Sequence, residues 1–242
     1  MIDLHTHILY GVDDGARTLN QAVEMLKKAH TLGIDAVALT PHRSYYRGYQ
    51  YNKEEHHEKM NVLKKILHDL NIPINLHVGF EVDEHDDLIE TLNSGYTFEN
   101  SKYVLIDFTM RETDISEVIY TLRQLGYHVV VAHPERIHYL NFEELVELKR
   151  EGAIFQVSAG HLLPYKMTKS SRVAKRLLKH HLIDVVASDC HTLSDLDSMK
   201  ESFHYVVKKV GEELAHKWYV TNPKKILDMQ EGIDEHGRSN NT

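Results

Sequence analysis

Two histidines separated by one residue lie near the start of the chain, directly after a short apolar segment. They are His5 and His7, and side chains two positions apart on a strand point to the same side. The turn that follows contains two adjacent aspartates, of which Asp14 is a candidate ligand and Asp13 is expected to cap the turn at Gly15. Imidazoles and carboxylates bind divalent metals, so this stretch predicts one part of a metal site.

Further imidazole and carboxylate side chains follow the ends of later apolar segments. In chain order they are His42, Glu81, Asp107, His133, Asp189 and His191. Each alone has an ordinary structural explanation, such as a helix cap, a hydrogen bond to a loop carbonyl or an ion pair. Independent surface residues, however, have no reason to fall at the same point of successive units. The set is large enough to hold two or three metal ions.

The elements that must position these side chains alternate between strands and helices. Apolar runs predict a strand before His5 and further strands over 34–39, 73–80, 103–106, 129–132, 154–157 and 183–187. Apolar residues at helical spacing predict helices over 19–32, 53–70, 115–125, 142–150 and 170–180. About seven strand-plus-helix units of this kind form a parallel sheet covered by helices. Their number favours a closed or distorted barrel with the candidate ligands at the C-terminal rim of its strands.

The composition is that of an ordinary globular chain, with 242 residues, 42% of them hydrophobic and 26% charged. One domain over residues 1–230 accounts for it, and the polar segment 231–242 is expected to be a frayed tail. The formal charge of -8 argues against generic binding to nucleic acids or insertion into anionic membranes. The single cysteine, Cys190, excludes an intramolecular disulfide. No signal sequence or long apolar run is recognisable, so a cytoplasmic location is expected.

Six motifs, taken in this order, resemble those of the PHP (polymerase and histidinol phosphatase) superfamily. They lie at residues 5–7, 13–15, 40–42, 79–81, 132–136 and 187–191. Within it, the chain resembles the bacterial manganese-dependent protein-tyrosine phosphatases of capsule and exopolysaccharide clusters, from Met1 to about Leu227. The resemblance implies an α/β fold, a distorted (β/α)7 TIM-like barrel, with a trinuclear metal centre.

The same resemblance implies an activity and a set of site residues. The expected reaction is hydrolysis of phosphotyrosine on a cognate bacterial tyrosine kinase, with a metal-bridged hydroxide attacking phosphorus. Manganese is the expected metal, with Fe, Mg and Zn as alternatives. The implied metal ligands are His5, His7, Asp14, His42, Glu81, Asp107, His133, Asp189 and His191. Arg136 would bind the phosphate, and Asp14 and His42 join it as catalytic residues. A general acid, if the reaction uses one, is expected to be a rim histidine or a metal-bound water.

The sequence departs from the family pattern at two points. The family usually has glutamate where this chain has Asp107, so one metal is expected to be more weakly held or bridged through water. Relatives often carry an arginine soon after the motif that contains Asp189, and this chain has none there. The corresponding phosphate contact is then either missing or supplied by Arg43, Arg47 or Arg111.

Segment 43–51 follows a candidate ligand directly and contains four tyrosines and two arginines. Of these, Arg43, Tyr45, Tyr46 and Arg47 are candidates for contact with a phosphotyrosyl ring and its phosphate. The alternative is a loop that packs its tyrosines on the adjacent helix. Most of the remaining histidines are expected on the surface, including His56 on the polar face of its helix.

Three other functional classes were weighed against this hypothesis. A cysteine-dependent tyrosine phosphatase would need an arginine six positions after its nucleophile, but Leu196 occupies that place after Cys190. A histidinol-phosphate phosphatase or another small phosphomonoesterase of the same superfamily would instead prefer alkyl phosphates. A metal-stabilised module that only docks on a kinase would bind metal without hydrolysing any phosphomonoester.

Overall fold

The computed structural model describes residues 1–99 and 101–227 as an α/β structure, so segment 231–242 lies outside the described residues. The strands are β1 (Ile2–Thr6), β2 (Ala36–Leu39), β3 (His42–Arg43), β4 (Asn75–Val78), β5 (Glu81–Asp83), β6 (Tyr103–Asp107), β7 (His128–Ala132), β8 (Ile154–Ser158) and β9 (Val185–Ala187). The α-helices are α1 (Leu19–Thr31), α2 (Lys53–Asp69), α3 (Leu88–Asn93), α4 (Ile115–Gln124), α5 (Phe142–Arg150), α6 (Ala159–Leu162), α7 (Lys169–Lys179), α8 (Asp197–Val210), α9 (Glu212–His216) and α10 (Asn222–Ile226). A 3₁₀ turn (Pro134–Arg136) follows β7, and a π-helical turn (Lys217–Thr221) precedes α10.

All paired strands run parallel, as the alternation of strands and helices predicts. One sheet has the order β1-β2-β4 and the other has the order β3-β5-β6-β7-β8-β9. Two strands of the first sheet are each followed, after a break of two residues, by a short strand of the second sheet. The predicted strand 73–80 contains β4 and the break at Gly79 and Phe80, and β5 begins just beyond it at Glu81. A Cβ atom on Gly79 would lie 2.7 Å from Thr40 Cγ2, so this break requires glycine.

The first strand is also linked to the segment that follows the last strand. The amide of His7 donates to the carbonyl of Cys190 at 3.0 Å, and the amide of Asp189 donates to the carbonyl of His5 at 2.9 Å. The two sheets therefore meet at this point as well as at the interrupted strands. The α/β class and the parallel pairing are confirmed, and the distortion takes the form of a division into two sheets.

Successive residues of the central strands face two different apolar clusters. On β6, Val104 and Ile106 pack in the larger cluster, which also contains helix residues such as Ile119. Leu105, between them, packs in a smaller cluster made mainly of strand residues such as Leu4. This alternation shows that the strands are buried on both faces, which explains why they read as continuous apolar runs.

The helices agree with the predicted spans to within a residue where the apolar spacing is clear. Five of them begin at a side chain that accepts an amide hydrogen bond from the first turn, a common way to satisfy amides that lack helical partners. These N-caps are Thr18, Asn52, Asp114, Asn141 and Thr168. Helices α3, α6 and α8 to α10 were not predicted. Within residues 1–99 and 101–227, no helix has the length and apolar character needed to cross a membrane.

His56 lies in the core, so its predicted place on the polar face of its helix is wrong. Its ring is buried, packs edge-on against Phe80 at 4.9 Å, and contacts the Tyr51 hydroxyl through Nδ1 at 3.3 Å. Burial disfavours the charged imidazolium and lowers the pKa of His56 to about 3. The sequence did not reveal the burial of His56, because the adjacent His57 is exposed and the helical pattern predicts the same polar face for both.

The pKa of His56 predicts a loss of stability in acid. Because the folded pKa lies below the unfolded value of about 6.5, the unfolded chain binds more protons and the folded state is destabilised as pH falls from about 6.5 towards 3. Between pH 7.5 and pH 5.0 this residue should remove about 2 kcal/mol of the free energy of unfolding. In metal-free protein, His56→Phe should lose correspondingly less stability than wild type when denaturation is measured at the two pH values. The matched control is His57→Phe, and equal pH dependence in both variants would contradict the assignment.

Candidate metal centre

The predicted ligands from seven different parts of the chain converge on one place. Donor atoms of eight of the nine form three groups, and within each group the atoms lie within 4.8 Å of one another; Asp189 is in none of the groups. The groups are His7 with Asp14, His42 and His191; His5 with His7 and Glu81; and Glu81 with Asp107 and His133. His7 belongs to the first two groups and Glu81 to the last two. The arrangement is therefore a row of three adjoining sites that share ligands.

His5 and His7 lie on the same side of the chain, as their spacing predicted. Their Nε2 atoms face each other at 3.2 Å, and both rings are buried. The other ring nitrogen of each is held by a polar partner. Nδ1 of His5 contacts Gln156 Oε1 at 2.8 Å, and Nδ1 of His7 contacts Asp13 Oδ2 at 2.7 Å. Such contacts fix the tautomer and orientation of an imidazole, and they leave Nε2 free to coordinate.

Glu81 stands at the centre of the cluster, with its carboxylate buried. Its Oε1 atom is 2.8 Å from Nε2 of His133. Its Oε2 atom lies 2.7 Å from Nδ1 of His42, 3.3 Å from Nε2 of His5 and 3.4 Å from Nε2 of His7. One carboxylate thus touches four imidazoles from three other parts of the chain.

Burial and the neighbouring carboxylates have opposite effects on the pKa values of histidines in the cluster. Burial by itself would lower the pKa of His5, but the carboxylates of Glu81 and Asp189 outweigh it and raise that pKa to about 9. Burial likewise acts against the charged form of His42, but Glu81 and Asp14 raise its pKa to about 10. Hydrogen bonds from imidazoles hold the pKa of Asp14 well below its usual range. The carboxylates thus attract positive charge into this buried place, whether it is carried by protons or by a cation.

Two polar atoms of the cluster lack hydrogen-bond partners in the part of the chain that the structure describes, and a divalent metal would provide missing contacts. Glu81 Oε2 makes no hydrogen bond of good geometry within the described residues despite its three close nitrogens, and neither does the buried Nδ1 of His133. The facing Nε2 atoms of His5 and His7 lie 3.3 and 3.4 Å from this same Glu81 oxygen. A cation placed among these three atoms would be bound by all of them, and imidazole with carboxylate is a donor set that suits Mn, Fe and Zn.

The carboxylates of the two outer ligand groups differ in exposure, since Asp14 is half exposed and Asp107 is buried. The Oδ1 atom of Asp14 lies 3.4 Å from Nε2 of both His42 and His191, and its side chain is half exposed. Asp107 accepts hydrogen bonds from the amide and hydroxyl of Thr109 at 2.7 and 2.6 Å through Oδ1. Its carboxylate therefore caps a turn and also belongs to a ligand group.

Arg136 lies beside the cluster and forms an ion pair with Asp189 through Nη2. Asp189 also places Oδ1 3.6 Å from Nε2 of His5 and 3.4 Å from Nε2 of His7. The backbone is left-handed at both Asp189 (φ 54°) and His133 (φ 34°), a conformation that costs non-glycine residues about 1–3 kcal/mol. Such strain is typical of positions where function dictates the direction of a side chain.

Two buried residues that orient the histidines were missed or only partly recognised. Asp13 does cap the turn, accepting from the amide of Gly15 at 3.0 Å, but its other oxygen holds His7 and the amide of His42 at 3.0 Å. Gln156 lies on β8, the unit that contributes no imidazole or carboxylate to the predicted set. A polar residue in the middle of an apolar strand was the available signal for Gln156.

The three arginines considered for the missing phosphate contact have different environments. Nη1 of Arg47 contacts both ring nitrogens of His42, at 2.8 and 2.6 Å, and Nη2 lies 3.4 Å from Asp107. Arg111 pairs with acidic residues 84 and 86, outside the ligand groups. Arg43 lies over the ring of Tyr96 at 4.8 Å. Among the three, only Arg47 contacts a ligand residue within the described chain.

The loop that carries Tyr45 and Tyr46 is tied down by the buried carboxylate of Asp83. That carboxylate accepts the hydroxyl of Ser44 at 2.7 Å and the amides of the two tyrosines at 3.0 and 3.2 Å. Tyr45 is 62% exposed and lies parallel to the ring of His85, and Tyr46 is 41% exposed. The structure thus directs both aromatic rings to solvent, while Tyr51, further along, packs on Phe80.

The chain is similar to known proteins over nearly its whole length. The family model described as "Capsular polysaccharide synthesis, CpsB/CapC" matches residues 1–228. The chain is 32% identical to CapC of Staphylococcus aureus over 235 residues, which is 94% of this chain and 91% of that protein. It is 30% identical to the tyrosine-protein phosphatase YwqE of Bacillus subtilis over 224 residues, which is 89% of this chain and 87% of that protein.

Solved structures give the same relationship. A structure described under "YwqE from Bacillus subtilis and CpsB from Streptococcus pneumoniae, unique metal-dependent tyrosine phosphatases" superposes with a TM-score of 0.86 at 29% identity, covering 96% of each chain. A histidinol phosphate phosphatase from Lactococcus lactis has a TM-score of 0.54 at 13% identity, covering 86% of this chain and 94% of that chain, a likeness of fold alone. The chain belongs to the CpsB/CapC family of capsular polysaccharide synthesis.

Proposed function

We propose that this protein is a metal-dependent protein-tyrosine phosphatase that acts on a tyrosine-phosphorylated bacterial kinase involved in capsular or exopolysaccharide synthesis. The observation that carries the proposal is the row of three overlapping ligand groups with Arg136 at its edge. Membership of the CpsB/CapC family and the names of the relatives support the choice of phosphotyrosine as substrate. A cytoplasmic location stays a prediction from the sequence.

The nine predicted ligands would hold up to three divalent ions, and manganese is the metal we propose. Ions bound there would neutralise the phosphoryl oxygens and supply activated water at neutral pH. Around them, Asp13 and Gln156 keep the imidazoles of His7 and His5 turned towards the metals. Removing the contact of Asp13 with His7, or of Gln156 with His5, should weaken metal binding by about 10- to 100-fold.

The phosphate itself would be bound by arginine. The planar guanidinium of Arg136 can donate two parallel hydrogen bonds to phosphoryl oxygens, and its side chain is 37% exposed, so substrate can reach it. Arg47, beside His42 and Asp107, is placed to provide a second cation. Both arginine side chains would stabilise the negative charge that spreads over the phosphoryl group in the transition state.

The proposal is tested by removing and restoring the metal. Protein stripped with a chelator should lose hydrolysis of a phosphotyrosine peptide, and Mn²⁺ should restore it better than Mg²⁺, Fe²⁺ or Zn²⁺. Histidinol phosphate is assayed in parallel under the same conditions. Faster turnover of histidinol phosphate would overturn the substrate assignment. Stoichiometric metal binding without hydrolysis of any phosphomonoester would leave docking on a kinase as the function.

The exposed tyrosine pair is proposed to bind the substrate peptide. Replacing both Tyr45 and Tyr46 by alanine should raise KM for a phosphotyrosine peptide by about 5- to 150-fold, because each lost aromatic contact is worth about 0.5–1.5 kcal/mol. The value of kcat should change little, since neither ring contacts a ligand group. Steady-state kinetics on peptide and on p-nitrophenyl phosphate measure the effect.

The matched control for this pair is Tyr120→Ala, which removes a 66% exposed tyrosine on α4. An unchanged peptide KM in the double variant would show that the loop has only a packing role. A rise in KM of equal size for p-nitrophenyl phosphate would point to distortion of Arg47 instead.

A further inference from the structure

A cavity of about 330 Å³ adjoins the metal centre on the side of α6 and α8. Arg136 and Asp189 line this cavity together with His161, Tyr165 and Lys166. The phosphate is proposed to bind at Arg136, so the rest of a phosphorylated substrate has to leave the centre through a neighbouring space. This cavity lies at the right place to receive the aryl leaving group.

His161 on the cavity wall is paired with a buried carboxylate. Glu135, which is 1% exposed, accepts from Nδ1 of His161 at 2.8 Å and from the amide of Ser158 at 3.0 Å. The imidazole is 22% exposed, and within residues 1–99 and 101–227 its Nε2 atom has no protein hydrogen-bond partner. A carboxylate on Nδ1 fixes the orientation of an imidazole and leaves Nε2 available to a substrate.

Ser158 links this pair to the phosphate side of the site. Its hydroxyl lies 3.4 Å from both Arg136 Nη2 and Asp189 Oδ2, and its amide donates to the same Glu135 oxygen that holds His161. The helix α6 starts at the next residue, which places His161 on its only turn. His161 is thus anchored by the segment that also contacts the phosphate-binding arginine.

Loss of a tyrosine leaving group creates a phenolate whose conjugate acid has a pKa of about 10, so protonation during bond cleavage accelerates the reaction. We propose that His161 is the general acid that protonates the leaving phenolate, oriented by Glu135 as a positioning residue. The inference rests on the proposed phosphatase function. Eight of the nine proposed ligands contribute a donor atom to the three metal groups, whereas His161 lies outside all of them.

The step conserves atoms and charge. A water oxygen bonds to phosphorus and releases one proton to solvent as the bond between phosphorus and the phenolic oxygen breaks, and the electron pair of that bond goes to the phenolic oxygen. The Nε2 proton of the imidazolium moves to the same oxygen, which leaves neutral His161 with its Nδ1–H still donating a hydrogen bond to Glu135. Water restores the proton before the next turnover.

The test compares leaving groups in the metal-loaded enzyme. In His161→Asn, kcat for phenyl phosphate and a phosphotyrosine peptide should fall about 100-fold or more, whereas p-nitrophenyl phosphate, whose phenolate leaves without a proton, should change little. Glu135→Gln should give the same pattern with a smaller loss. His204→Asn, an exposed histidine on α8, is the matched control and should affect no substrate.

Each other outcome counts against the proposal. An equal loss on all three substrates would show that His161 and Glu135 only hold α6 in place, and an unchanged rate on all three would show that the imidazole is not used. Melting temperatures identify a folding defect, but comparison of substrates within one variant remains valid. If wild type hydrolyses aryl phosphates and not the peptide, the proposed function fails while His161 is still tested. Absence of any aryl phosphate hydrolysis would overturn both.

Discussion

Replacing Glu81 by glutamine should reduce metal-dependent phosphatase activity by at least about 10³-fold, because metal ions contribute several kcal/mol of transition-state stabilisation. Glu81 belongs to two of the three ligand groups, and its carboxylate contacts His5, His7, His42 and His133. Glutamine keeps the shape of the side chain but removes the negative charge that attracts cations to this buried place. The loss should therefore appear in metal binding as well as in turnover.

Metal content per chain, measured by mass spectrometry after dialysis against Mn²⁺, distinguishes this effect from simple misfolding. Glu81→Gln should retain at least one ion fewer than wild type, and its circular dichroism spectrum should be unchanged. The control is Glu90→Gln, an exposed carboxylate on α3. If Glu81→Gln kept both full metal content and full activity, the central position of Glu81 in the proposed metal site would be wrong.

Replacing Arg136 by alanine should lower kcat/KM for phosphotyrosine peptide by about 10²- to 10³-fold, the usual cost of removing one positioned donor to the transition state. Arg136→Lys should recover only part of this, since an ammonium group cannot donate two parallel hydrogen bonds to a phosphoryl group. Arg136 is not in any ligand group, so both variants should keep their metal. This separates the role of Arg136 from that of Glu81.

Activity and metal content are measured together in these variants. Arg150→Lys is a suitable control, because Arg150 is an exposed arginine paired with Glu147 on the surface. Loss of metal in Arg136→Ala would indicate that the ion pair with Asp189 holds the site together instead of binding substrate. Full activity of Arg136→Lys would argue against two-point recognition of phosphate.

Much of the fold could be predicted because parallel strands buried on both faces read as continuous apolar runs. The predicted helix 142–150 coincides with α5, and the predicted strand 103–106 lacks only Asp107 of β6. The break at Gly79 could not be predicted, since it depends on contact with Thr40 and Phe98, which are distant in sequence. His56 was misplaced for a similar reason, because its burial comes from packing against Phe80.

The candidate ligands could be predicted because most of them lie at or just after the end of an apolar run, and the C-terminal ends of parallel strands meet at one edge. The contacts that these ligands make could not be predicted from the sequence. Gln156 has no metal-binding chemistry of its own, and only the pairing of strands brings it to His5. The Glu135–His161 pair likewise joins the 3₁₀ turn after β7 to helix α6, with α5 and β8 between them in the chain.

By itself, the sequence determined the class of the fold, the family resemblance and the types and order of the metal-binding side chains, since these depend on local apolar patterns and motifs. Only the tertiary structure decided that His7 and Glu81 are shared between ligand groups, that Arg47 reaches the cluster and Arg43 does not, and that a cavity lies beside Arg136. These features depend on distances between atoms that are far apart along the chain. Such distances are set by the packing of strands and loops, which no local pattern of residues encodes.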